Sequence, residues 1–251
     1  MVKNILTMSG GNIVNLIMCQ IPQNISQYLI DNLIPNGVAI YQHNTLEQIQ
    51  KFMRQKTAHI MLIDIDQPIV NWLHFIQNMK LQAEFINCQF IALTDFYEKN
   101  ANDFLLAGIS SIIQKNLNPK LILKQIYTFI KILENLTKDN KRKTVRVTPN
   151  RSDRATISIY NSMKNSEITG NIINISVRAV AFTVKNQLDL KFLPDNLELK
   201  NVKIFIQERS YKISGKILRK HKNGTVILFT QTDKEFIKSI SQYIFAVLSE
   251  N

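Results

Sequence analysis

The spacing of apolar residues changes near residue 137, and this change constrains the fold more than any other feature of the chain. Before that point, short apolar runs typical of buried strands alternate with segments whose apolar residues recur at helical spacing. After it, short strand-like runs follow one another directly. We therefore expect an α/β domain at 1–137 and a β domain at 154–251, joined by a basic linker at 138–153.

In the first domain, the alternation of strands and helices predicts a doubly wound parallel sheet, because parallel strands need a crossover connection that is usually a helix. Five strands are predicted, at Ile13–Met18, Val38–Tyr41, His59–Ile65, Phe90–Leu93 and Ser111–Gln114. Functional residues of such sheets lie beyond the carboxyl ends of the strands.

In the second domain, six short strands and a final helix predict a small antiparallel barrel. The dipeptide Asn223-Gly224 marks a hairpin turn between the last two strands, since the favoured turn needs positive φ at both central residues. The predicted strands and helix are Ala155–Tyr160, Glu167–Ile175, Ala179–Val184, Val202–Gln207, Tyr211–Arg219, Thr225–Thr230 and Lys234–Leu248.

The positive charge of the chain lies almost entirely in its second half. The net charge is +12, yet residues 1–137 hold 10 basic and 9 acidic side chains, whereas 138–251 hold 21 and 10. Such an excess favours an anionic ligand or surface, although a lysine-rich solvated surface is the alternative.

Several classes of protein are not expected. Two cysteines, Cys19 and Cys88, are too few for a disulfide framework or a zinc site. No apolar run approaches the roughly 20 residues of a membrane span, and the first residues lack a signal peptide's features, so we expect a cytoplasmic protein. Without a nucleophile motif, a glycine-rich phosphate loop or a metal-spaced cluster, we expect neither enzymatic activity nor a bound metal.

Three motifs of the first domain have the order and spacing found in response-regulator receiver domains. Asp64 ends the third strand, and Pro68 follows four residues later. Thr94 ends the fourth strand, and Lys115 follows the fifth. Residues 12–136 thus resemble a receiver domain, which implies a flavodoxin-like fold and makes Asp64 the candidate phosphoacceptor.

The resemblance fails where receivers hold a divalent cation. Phosphoryl transfer to an aspartate needs that cation, which receivers bind with an acidic pair after the first strand. Here the two positions hold Cys19 and Gln20, neither of which is a good ligand for a hard cation. Asp64 is then either a phosphoacceptor or a carboxylate paired with Lys115. We expect the second, in a pseudo-receiver that serves as a docking or dimerisation module.

Two motifs of the second half resemble those of the PilZ family, small bacterial barrels that bind cyclic di-GMP. Arg142 and Arg146 form an Arg-x-x-x-Arg motif, and Asn174 and Ser176 begin an (Asp/Asn)-x-Ser-x-x-Gly motif. The resemblance covers about residues 141–250 and implies that these four side chains bind the dinucleotide. The chemistry agrees, because guanidinium groups match phosphate oxygens and the guanine O6/N7 edge in bidentate fashion.

Ala179 replaces the glycine that ends the second motif. Glycine permits positive φ or close backbone approach, so the alanine threatens the site. Arg178 beside it is a candidate phosphate contact. The alternative is a ligand-independent adaptor with a degenerate nucleotide site, bound to a protein partner such as motility or secretion machinery. We do not expect nucleic-acid binding, since the aromatic residues available for base stacking resemble core residues.

Overall fold

A computed structural model describes residues 13–67, 71–82, 85–96, 102–104, 106–136, 144–162, 165–221 and 224–250. Contacts between residues divide the chain into two compact units, 1–143 and 144–251. None of the helices in the described ranges is both long and apolar enough to cross a membrane.

The first unit contains a five-stranded parallel sheet with the strand order β2-β1-β3-β4-β5. This order confirms the predicted doubly wound, flavodoxin-like topology. The strands are β1 Val14–Cys19, β2 Val38–Gln42, β3 Ile60–Asp64, β4 Gln89–Thr94 and β5 Ser111–Gln114. Its helices include α1 Gln23–Leu33, α2 Leu46–Gln55, α3 Trp72–Lys80 and α4 Pro119–Leu136.

The central strand β3 is buried along its whole length, which explains why its sequence is a continuous apolar run. Crossover helices cover both faces of a parallel sheet, so no strand face needs polar residues. α2 begins where the sequence supplies a capping box: the hydroxyl of Thr45 accepts a hydrogen bond from the N–H of Gln48, whose side chain bonds back to Thr45.

The second unit is a closed antiparallel barrel with the strand order β10-β11-β8-β7-β6-β9, as predicted. Its strands are β6 Thr156–Asn161, β7 Ser166–Ile175, β8 Ala179–Val184, β9 Glu198–Ile206, β10 Arg209–His221 and β11 Gly224–Gln231. Gly170 allows β7 and β8 to approach closely, because a Cβ there would lie 2.3 Å from the carbonyl oxygen of Thr183.

The C-terminal helix, α5 (Lys234–Glu250), packs one apolar face on the barrel. Phe236 contacts Tyr211 and Phe229 edge-to-face, with ring centroids 5.5 Å and 5.4 Å apart. Ile240 and Ile244 on the same face are fully buried. The apolar spacing that predicted this helix is therefore the spacing of its packing face.

Residues 144–153, which the sequence places in the linker, belong to the second unit by their contacts. Val145 and Val147 are buried, and Val147 forms an antiparallel bridge with Ile175 at the end of β7. These residues join the barrel because two valines at strand spacing form an apolar face. The charged residues around them weaken that signal in the sequence.

Candidate functional site

The turn between β7 and β8 carries the Asn-x-Ser motif, and Ser176 organises it. Its hydroxyl accepts hydrogen bonds from the N–H groups of Ala179 (3.1 Å) and Arg178 (3.3 Å). The Ser176 N–H donates to the Ala179 carbonyl at 2.9 Å. Ser176 is fully buried, so its hydroxyl shapes the turn rather than facing solvent.

Ala179 fits this turn without backbone strain. It is the first residue of β8, it is 8% exposed, and it is absent from the described residues with positive φ. Its pairing partner on the neighbouring strand β11 is Leu228. The conformational freedom of glycine is therefore not needed at this position.

The second arginine of the Arg-x-x-x-Arg motif lies beside this turn because of one backbone bridge. Val147 and Ile175 exchange two hydrogen bonds of 3.0 Å each, so Arg146 stands opposite Ser176 and diagonally from Asn174. Diagonal neighbours across antiparallel strands are about 7–8 Å apart, within reach of a long side chain. Val147 and Ile175 are buried, whereas the side chain of Arg146 is exposed on the outer face.

Asn174 lies at a β-bulge, where the pairing of β7 with β8 shifts between Ile172 and Asn174. Bulges redirect side chains and occur often next to functional sites. The side chain of Asn174 is half-buried, and no described residue hydrogen-bonds with its amide. Arg146 and Arg178 are both exposed.

The structure thus brings Arg146, Asn174, Ser176, Arg178 and Ala179 together at one end of β7. Arg142 falls outside the described residues, as do Pro68 of the receiver-like motif and Asn223 of the predicted hairpin turn.

The sequence analysis missed the residue that anchors the segment carrying Arg146. The buried carboxylate of Asp153 accepts hydrogen bonds from the Tyr243 hydroxyl of α5 (2.6 Å) and from the Asn150 N–H (2.8 Å). Burial, and then the bond to Asp153, raise the pKa of Tyr243 above its ordinary value. The spacing Asn150-x-x-Asp153, which forms a capping box, is the one sequence signal for this anchor.

In the first unit, two carboxylates share one lysine at the carboxyl ends of β3, β4 and β5. Lys115 Nζ lies 2.9 Å from Oδ1 of Asp64 and 2.7 Å from Oδ2 of Asp66. Asp64 is fully buried, and Oδ1 also accepts a hydrogen bond from the Asp66 N–H at 3.1 Å. The pair between Asp64 and Lys115, one of the two roles considered for Asp64, is present.

Asp66, which the sequence analysis did not single out, makes the most contacts in this cluster. Its carboxylate accepts hydrogen bonds from the Thr94 hydroxyl, from the Asp95 N–H (3.0 Å) and from Lys115. Burial opposes ionisation of this carboxyl, but the bonds from Lys115, Thr94 and Asp95 outweigh it and lower the pKa of Asp66. Burial alone would lower the pKa of Lys115, but its bonds to the two carboxylates raise it.

Neither position of the missing acidic pair holds a carboxylate. Cys19 is fully buried, and burial, followed by the nearby Cys88, raises the pKa of its thiol, which disfavours a reactive thiolate. Gln20 follows with a positive φ of 57°, and its amide donates a long bond of 3.4 Å to the Asn44 carbonyl. Within the described ranges, no group of three or more His, Cys, Asp or Glu side chains is arranged to hold a metal ion.

No family model and no curated protein matches the chain. Among solved structures, the PilZ domain of YcgR from Escherichia coli, determined with c-di-GMP, matches at 10% identity and a TM-score of 0.37, over 43% of this chain and 91% of that chain.

A chemotaxis response regulator and a transcription regulatory factor match as well. CheY4 of Vibrio cholerae, a chemotaxis response regulator, matches at 14% identity and a TM-score of 0.41, over 47% of this chain and 99% of that one. MrkH of K. pneumoniae, described as a c-di-GMP-dependent transcription regulatory factor, matches at 17% identity and a TM-score of 0.37. The match covers 42% of this chain and 51% of the MrkH chain. The matched structures therefore include both kinds of domain that the sequence motifs resemble.

Proposed function

We propose that the barrel binds cyclic di-GMP on its outer surface beside the β7–β8 turn, and that the protein is a signalling effector. The observation that carries this proposal is the bridge between Val147 and Ile175, which sets Arg146 next to the Asn-x-Ser turn. The bridge thereby brings one arginine of the first motif beside the second motif, which is about 30 residues away in the sequence.

Each side chain has a distinct role in this proposal. Arg146, with Arg142 four residues before it, supplies guanidinium groups to the phosphates and guanine edges of the dianionic ligand. The side-chain amide of Asn174 offers a donor and an acceptor to a guanine. Ser176 acts through the turn, which it holds in shape, and Arg178 adds a phosphate contact at its rim.

Calorimetry of the full chain with cyclic di-GMP tests this proposal. We expect saturable binding that weakens at least tenfold in Arg146→Ala and in Arg142→Ala. Arg209→Ala is the matched control, because Arg209 is an exposed arginine of the same barrel at the start of β10. If the wild-type chain gives no heat of binding at millimolar ligand, the sensor proposal is contradicted. The ligand-independent adaptor would then be the remaining hypothesis.

A polyanion control separates dinucleotide recognition from general attraction by the basic half. Generic duplex DNA should not displace cyclic di-GMP, and any binding of DNA should weaken log-linearly with salt. Displacement by DNA at physiological salt would instead assign the site to nucleic acid.

We infer that the first unit serves as a protein-interaction module that is not phosphorylated. Its lysine and switch hydroxyl, Lys115 and Thr94, are both bound to Asp66, and Cys19 and Gln20 stand where a cation would be held. Acetyl phosphate should therefore leave Asp64 unlabelled in intact-mass measurements. A mass increase of one phosphoryl group that Asp64→Asn abolishes would show the opposite.

A further inference from the structure

One strand of the barrel has an edge that is open along part of its length. β10 pairs with β9 from Arg209 to Lys216, but its pairing with β11 begins only at Ser214. Residues 209–213 therefore have a strand neighbour on one side alone. Beyond Gln231, the chain leaves β11 and continues into α5.

The hydrogen-bonding groups of Ser210 and Lys212 point toward this open side. The turn between β9 and β10 has two residues, so Ile206 and Arg209, which flank it, form a hydrogen-bonded pair. Because such pairs alternate with non-hydrogen-bonded pairs in an antiparallel ladder, the N–H and C=O groups of Ser210 and Lys212 point away from β9. No other described residue bonds with them.

A groove runs along this edge, between β10 and the start of α5. It has a volume of about 690 Å³ and is lined by Arg209, Ser210, Tyr211 and Lys212 on one side. On the other side it is lined by Asp233, Glu235, Phe236 and Ser239. A neighbouring space of about 630 Å³ continues from Lys212 and Asp233 past the end of β11.

Charge and packing define what suits the groove. Lys212 stands directly opposite Lys203 of β9, a like-charge pair that is unfavourable in a sheet. Glu167 neutralises Lys203 at 3.1 Å, whereas no acid of the described part pairs with Lys212. On the other face of the strand, Tyr211 packs against Phe236. Of the two acids across the groove, Asp233 accepts a hydrogen bond from the Phe236 N–H at 2.6 Å and Glu235 lies in the first turn of α5, where the positive end of the helix dipole offsets negative charge. A strand laid against this edge would therefore still gain from an acidic residue beside Lys212 and apolar residues beside Tyr211.

We propose that this edge binds an extended, acidic segment of a partner protein, which adds a strand antiparallel to β10. Backbone bonds to Ser210 and Lys212 provide affinity, and the alternation of acidic and apolar side chains provides selectivity, as in other strand-addition interfaces. The site is separate from the dinucleotide site, and the proposal does not depend on ligand binding.

The probe is the peptide fluoresceinyl-Thr-Val-Glu-Val-Glu-Val-Thr-amide, labelled on its N-terminal nitrogen, titrated with the full-length chain by fluorescence anisotropy. We expect saturable binding that is lost when alternate backbone nitrogens are methylated, since methylation removes donors and keeps the side chains. Replacing both glutamates of the peptide by lysine should weaken binding at least tenfold. Equal binding of the methylated and unmethylated peptides, or no binding of the unmethylated one, would overturn the proposal.

Two variants of the chain locate the site. Ser210→Pro removes one donor that faces the groove and leaves the β9 ladder intact, because proline is tolerated on an open edge. Lys212→Glu should reverse the preference toward the lysine-containing peptide, with Lys200→Glu, an exposed lysine of β9, as the matched control. Circular dichroism establishes that each variant is folded, and Lys212→Glu decides the question if Ser210→Pro is not.

A second copy of the chain is the competing occupant. If sedimentation shows a dimer that Ser210→Pro dissociates, the edge pairs with itself and the partner-peptide proposal fails. A monomer at all concentrations, combined with peptide binding that both variants alter, supports it.

Discussion

Lys115 and Asp66 form an ion pair with 2.7 Å between Nζ and Oδ2, closer than the 2.9 Å that separates Lys115 from Asp64. Asp66 also accepts the hydroxyl proton of Thr94 in a hydrogen bond. Because this carboxylate accepts hydrogen bonds from both a lysine and a hydroxyl group, it uses the donors that would otherwise bind an oxyanion. Asp66 therefore bonds to Thr94 and Lys115 in the place that an external oxyanion would take.

Replacing Asp66 with asparagine should destabilise the first unit and change its acid dependence. Because the pKa of Asp66 is lowered on folding, its contribution is present above its ordinary pKa of 3.8 and is lost as the pH falls through the folded value. We expect Asp66→Asn to cost about 1–3 kcal/mol at pH 6 and progressively less below pH 3.8.

Urea unfolding followed by tryptophan fluorescence measures this cost in the full chain. Trp72 is the single tryptophan, it is buried, and it belongs to the first unit. Asp95→Asn is the control, because Asp95 is exposed and contributes its backbone N–H to the cluster. An unchanged difference between wild type and Asp66→Asn from pH 6 to pH 3 would contradict the ion-pair account.

His59 should make the first unit less stable in mild acid. Its Nδ1 accepts a hydrogen bond of 3.0 Å from the Asn15 N–H, which a protonated ring cannot do. Burial lowers the pKa of His59, so the unfolded chain binds more protons, and stability present above pH 6.5 declines as the pH falls through the folded value. Burial also lowers the pKa of His43, which adds to the same slope.

The test compares the pH dependence of Trp72-monitored unfolding between wild type and His59→Asn from pH 7.5 to about 5. The variant should lose part of the slope, because asparagine offers a neutral acceptor that does not titrate there. His74→Asn, which replaces an exposed histidine of the same unit, is the matched control. Identical slopes in wild type and His59→Asn would exclude the Asn15 bond as the cause.

Ser176→Ala should weaken both the barrel and its ligand site. The substitution leaves the N–H groups of Ala179 and Arg178 without their side-chain acceptor, which we expect to cost about 1–3 kcal/mol in thermal unfolding followed by circular dichroism. Ligand affinity should fall with it, since the turn places Asn174. The exposed Ser210→Ala is the control, and a variant as stable as wild type would show that the turn does not need the hydroxyl.

Ala179→Gly should not improve ligand binding, although it restores the residue of the PilZ motif. Ala179 is outside the positive-φ region and pairs regularly with Leu228, so glycine relieves no strain. We expect an affinity for cyclic di-GMP within about threefold of wild type and a loss of about 0.5–1 kcal/mol in stability, because glycine is unfavourable within strands. A tenfold gain in affinity measured by calorimetry would mean that the methyl group obstructs the ligand.

Most of the secondary structure follows from local patterns. Strand β8 has its predicted bounds, and α5 begins at the predicted Lys234. The strand β9 begins at Glu198, four residues before its predicted start, because its first half has charged residues on the exposed face that weaken the apolar signal. The spacing of apolar residues within a segment therefore predicted the presence of a strand or helix more accurately than the residues at which it begins and ends.

The sequence by itself determined the two fold classes and the charge that separates the halves, because apolar periodicity and composition are local properties of a chain. Only the tertiary structure decided that Asp66 competes for Thr94 and Lys115, since these residues come from three strand ends that meet through the order of the sheet. It also decided that Arg146 lies beside Ser176. Backbone pairing between distant segments sets that contact, and no residue pattern within either segment encodes it.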